Sequence, residues 1–71
     1  MKEEKALIIE DQEIVVIITQ PKSGLFRAGA FYKNYPDRIT AFHESNYRDI
    51  ASEEAVRKLL SDCPPGTIEY I

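Results

Sequence analysis

The chain has 71 residues, with nine basic and twelve acidic side chains and a formal net charge of −3. That length makes one small domain with a thin core, which leaves no room for a deep substrate cleft and the shell that would support it, and so argues against an enzyme. The 44% apolar and 30% charged content excludes a disordered tail, and no apolar run reaches the 18 residues a spanning helix needs.

The chain opens on Met1-Lys2-Glu3-Glu4-Lys5, which is too acidic, with too short an apolar stretch behind it, for a secretory signal. A cytoplasmic protein is therefore expected. Residues 5–10, Lys-Ala-Leu-Ile-Ile-Glu, form a short apolar patch, so residues 1–12 read as a flexible arm or an extra strand. Residues 13–20, Glu-Ile-Val-Val-Ile-Ile-Thr-Gln, are the clearest strand, because β-branched residues suit a pleated sheet. Ile14, Val16 and Ile18 share one face, and Val15 and Ile17 the other. Both faces are apolar, which marks a central strand or one covered by a partner.

Pro21-Lys22-Ser23-Gly24 reads as a turn into a return strand at 25–32, an antiparallel hairpin. Phe26, Ala28, Ala30 and Tyr32 share one face of that strand; Leu25, Arg27, Gly29 and Phe31 share the other. A glycine inside a strand signals a bulge or the close approach of another element. After a loop at 33–37, residues 37–42 alternate weakly, Ile39 and Ala41 against Thr40 and Phe42, as a short third strand. Residues 43–48 are polar and read as a surface connection.

Residues 52–62 are the helix, with Ser52 as its cap and Glu53 and Glu54 near the positive end of the dipole. Ala51, Ala55, Val56, Leu59, Leu60 and Cys63 draw one apolar stripe. Pro64-Pro65-Gly66 then turns the chain into a last strand at 67–71, expected beside the central one. The fold class is therefore α+β: a small antiparallel or mixed sheet of about three to five strands with one helix packed on one face, in the order β-β-(β)-α-β.

No catalytic motif is present, and neither catalytic nor cofactor-binding residues are assigned. Gly24 and Gly29 do not make a dinucleotide fingerprint, because strand-like residues follow them. Glu53 and Glu54 diverge by about 100° around a helix and are not an acid–base pair. Cys63 is the only cysteine, so no internal disulfide or cysteine cluster can form, and it reads as a small apolar side chain at the helix end. His43-Glu44 alone is too few ligands for a metal.

Charge is laid out in three blocks. Residues 1–20 sum to −3, 21–48 to +3 and 49–71 to −3. The basic middle carries Lys22, Arg27, Lys33, Arg38 and Arg48, interleaved with Phe26, Phe31, Tyr32, Tyr35, Phe42 and Tyr47. Three readings compete: core aromatics with solvated bases, a protein interface enriched in Tyr and Arg, or a stacking and phosphate-binding surface for nucleic acid. The acidic total ranks nucleic acid below protein contact. Arg27, Phe31 and Tyr32, then Tyr35 and Arg38, are the expected partner-binding residues. The partner is another protein or a second copy of the chain.

Ile14 to Phe31, and within it Gly24, Phe26, Arg27, Ala28 and Gly29, resembles the N-terminal domain of the Mu-like prophage FluMu proteins. Leu59-Leu60-Ser61-Asp62-Cys63-Pro64 and the segment at Ile68 resemble that family's end, so the likeness spans residues 13–71. Here Leu25 is inserted before Phe26, a single arginine replaces the usual pair, and the stretch 33–48 is longer. Members often carry a second, C-terminal helical module, so the resemblance implies the N-terminal module as the counterpart of this chain. The resemblance implies a phage or prophage protein of the bacterial cytoplasm or the virion, linked to head and tail assembly, with no catalytic residues to carry over.

Overall fold

A computed structural model describes residues 2–37 and 40–70. The elements in chain order are β1 (Lys2–Ile9), β2 (Gln12–Lys22), β3 (Leu25–Tyr32), β4 (Thr40–Ser45), α1 (Arg48–Asp62) and a 3-10 helix (Pro65–Tyr70). The strands make one antiparallel sheet in sequence order, and α1 lies across β3 and β4 with a lesser footing on β2. The chain is α+β, as its pattern predicts.

Two tight hairpins set the register. Between β1 and β2, Glu10 and Asp11 both take positive φ, 49° and 67°, a geometry for which Asn-Gly is the ordinary choice. Between β2 and β3 the turn is Ser23-Gly24, and Gly24 supplies φ 78°. Pro21 is not part of that turn. It lies within β2, where the pairing slips between Thr19 and Lys22, and such a bulge tolerates a residue with no N–H to give.

The even positions of β2 and β3 face the helix. Ile14, Val16, Ile18, Ala28, Ala30 and Tyr32 are fully buried there, joined by Ala41 from β4 and by Ala51, Ala55 and Leu59 from α1. The apolar stripe of the helix falls where its spacing predicts, with Val56 and Leu60 packed at its margin.

Four expectations about this half of the chain need correction. The helix begins at Arg48, not at Ser52, and Ser52 is buried inside it. Its N-cap, Tyr47, offers no side-chain cap; the Tyr47 N–H instead donates to Ser45 Oγ at 3.1 Å, and Asp49 is the acid of the first turn. Arg48 bridges to Glu3 on β1, its Nε donating to Oε1 at 2.9 Å, and so fixes the start of the helix over the sheet. Residues 43–45, expected as connection, belong to β4.

The expected last strand is a 3-10 helix. Thr67 donates both its N–H and its hydroxyl to the Pro64 carbonyl, at 3.0 and 2.9 Å, which curls the backbone. Central strand β2 has no open edge to offer, because β1 and β3 already flank it. Ile68 reaches the core as a single buried plug. Ile39 and Ile71 lie outside the described residues.

Candidate functional site

Residues paired across an antiparallel ladder point to the same side, so the register places every side chain on one face or the other. On the side away from α1 the sheet presents rows running from β1 to β4. Lys2, Thr19, Arg27 and Glu44 form the first. Glu4, Ile17, Gly29 and Phe42 form the second. Ala6, Val15, Phe31 and Thr40 form the third. Ile8 and Glu13 begin a fourth, where Lys33 bridges to Glu13 at 3.4 Å.

The centre of this face is apolar and has no second layer over it among the described residues. Phe42 keeps 49% of its surface exposed and Ile8 keeps 73%. A shallow groove of about 490 Å³ is lined by Ile17, Gly29, Phe31 and Phe42, with Arg27 and Pro36 also on its wall. Gly29 is its floor, and the close approach expected at a strand glycine is made by the Phe42 ring. A Cβ at position 29 would stand 2.9 Å from Phe42 Cε1. The Arg27 guanidinium lies over the same ring, 4.9 Å from its centroid, a cation–π contact that holds both side chains on the face.

The five expected contact residues therefore do not form one set. Arg27 and Phe31 are on the open face, as their shared parity with Gly29 requires. Tyr32 is fully buried on the opposite face and cannot meet a partner; its hydroxyl donates to the Cys63 carbonyl and ties β3 to the end of the helix. Tyr35 is half-buried against the core, its N–H donating to the Tyr32 carbonyl at 3.0 Å. Arg38 lies outside the described residues. Ile17 and Phe42 complete the apolar centre, and each carried the signal of its strand parity.

Cys63 is buried at the helix end, and burial pushes its thiol pKa up, away from the reactive thiolate. Burial also raises the Tyr32 phenol, with Cys63 and Glu10 adding to it. Both groups bind their protons more tightly when folded, so the stability they protect is complete below their ordinary values of 9.0 and 10.0 and declines as pH rises beyond them. Urea unfolding followed from pH 7 to 11 should show a loss beginning near pH 9. Cys63→Ala should remove its earlier part, and Tyr32→Phe the later.

The open face carries charges of both signs: among the described residues Lys2, Lys22, Arg27 and Lys33 stand with Glu4, Glu13 and Glu44. Arg48, another base of the middle block, is taken up by Glu3 and Asp49 on the other side. Among the described residues no three His, Cys, Asp or Glu side chains gather as a metal site, and no helix is long and apolar enough to cross a membrane. No family model, curated protein or solved structure matches the chain.

Proposed function

We propose that this chain is a non-catalytic interaction module that docks on a protein surface through the open face of its sheet, and that it is a phage or prophage protein linked to virion assembly. The observation behind the docking reading is the apolar centre at half-buried Ile17 and Phe31 and exposed Phe42, set within a rim of charges of both signs. A four-stranded sheet with one helix covers one side only, and an apolar patch with a polar rim is the usual form of a protein contact. Stacking aromatics on a sheet also suit a single nucleic-acid strand, but three acids stand among the four bases of this face and the chain as a whole is acidic, which favours protein contact.

The phage origin is supported by the resemblance around Gly24 to Gly29. Those residues have physical tasks in this fold: Gly24 makes the turn, Phe26 and Ala28 pack toward the helix, and Arg27 and Gly29 shape the open face. Capsid and tail genes beside the coding sequence would support the origin, and their absence would remove it.

The docking reading is tested by a photoreactive phenylalanine placed at Phe42, with the same group at exposed Lys58 on the helix as the comparison. Irradiation in the native host should yield protein adducts from position 42 and few from 58. Equal yields, or none from 42, overturn the reading; adducts to nucleic acid from 42 would transfer it to the second class of partner.

A further inference from the structure

Resting on that docking reading, we propose that the surface met by the open face is the same face of a second copy, packed sheet on sheet about a two-fold axis that runs along the strands between β2 and β3. Such an axis lays β1 over β4 and β2 over β3, row on matching row. The charges then answer one another. Lys2 meets Glu44 of the second copy, and Glu13 meets Lys33 of the second copy. Glu4 falls on Phe42 of the second copy, beside the Arg27 guanidinium that lies on that ring. Ile17 comes over Gly29 of the second copy, which that copy's Phe42 ring covers, so it rests on Phe42 beside Phe31, while Val15, already buried within its own sheet, adds little. An axis inclined by about 15° to the mean strand direction gives the mutual rotation of about 30° that is ordinary for aligned sheet packing.

The alternative two-fold, across the strands, fails on the same residues. It lays each strand on its own copy, so Arg27 faces Lys33 of the second copy and Lys2 faces Ile8. Charge complementarity therefore favours the axis along the strands over the axis across them. The area sets the strength. Four strands about 4.8 Å apart and rows spanning about 20 Å along the strand give a plan of roughly 400 Å² per copy. That is about half of a standard interface, which places the dimer among weak, reversible associations rather than obligate assemblies.

Sedimentation equilibrium from about 1 to 500 µM should show a reversible dimer. Lys2→Glu should weaken it about tenfold, because each swap acts twice in a two-fold interface, and Glu44→Lys should do the same. The double variant K2E/E44K should return to the wild-type constant. Lys2 and Glu44 lie on opposite edges of one sheet, three strand spacings apart, so rescue arises only between copies. Both side chains are exposed, and circular dichroism checks that each variant is folded. A wild-type monomer at 500 µM, or a dimer whose double variant stays weak, overturns the self-pairing. A monomer that still cross-links a different protein from position 42 would overturn this inference alone, leaving the docking reading in place; a monomer with no adduct would remove both.

Discussion

Replacing Tyr32 with alanine should cost about 3–5 kcal/mol of folding stability, the range for truncating a large buried aromatic. A 71-residue domain has about 4–10 kcal/mol in total, so the variant should be largely unfolded or close to it at 37 °C. Two losses combine. Tyr32 is the largest fully buried side chain among the described residues, so alanine leaves a cavity between β3 and the helix. Its hydroxyl also satisfies the Cys63 carbonyl, which would be left without that donor. Tyr32→Phe separates the two and should cost about 1–3 kcal/mol, the range for a buried group that loses its partner. Phe31→Ala, one residue away on the other face, should cost clearly less and should instead reduce cross-linking from position 42. Urea denaturation of the three variants decides the matter. Equal losses at 31 and 32 would show that the two sides of β3 are not divided into core and contact as described.

That pair of neighbours also marks the limit of what the sequence alone could tell. Strand parity is a local property, and the run from Ile14 to Ile18 carried it plainly, as did Phe26 to Tyr32. Parity sorts residues into two groups but does not say which group the helix will cover. Arg27 and Phe31 are legible as one set, whereas the parity of Tyr32 places it with Ala28 and Ala30, on the side the helix covers. The helix start escaped for a different reason. Ser52 followed by two glutamates has the composition of an N-terminus, whereas the real one at Tyr47 is held by Ser45 and by the distant Glu3. A tie across 45 residues leaves no trace in a local window. The 3-10 ending escaped because Thr and Ile are strand formers by propensity, and the competing facts, Thr67 bonding back to Pro64 and β2 having no vacant edge, are tertiary.

Leu59→Ala is the second large effect, expected at about 2–5 kcal/mol with a fall in Tm of about 4–8 °C for each kcal/mol. The reason lies in how α1 meets the sheet. Midway along β3 and β4 the helix-facing residues are Ala28, Ala30 and Ala41, flanked by Phe26 and Tyr32, and the helix brings Ala51, Ser52 and Ala55 into the same core. Small residues on both sides draw the two layers close, and little volume is left there to remove. Beyond that seam the large side chains of Leu59, Ile68 and Tyr32 fill the same core cluster, and the packing depends on their size. Leu59 is fully buried, whereas its neighbour Lys58 is exposed, so Lys58→Ala should be close to neutral. A Leu59 variant no less stable than the Lys58 variant would show that the helix is not seated on this face, and with it would go the distinction between a covered and an uncovered side of the sheet. Conversely, at temperatures where Leu59→Ala remains folded, the constant for association through the open face should be unchanged, because Leu59 acts on the far side of the sheet from Ile17, Phe31 and Phe42.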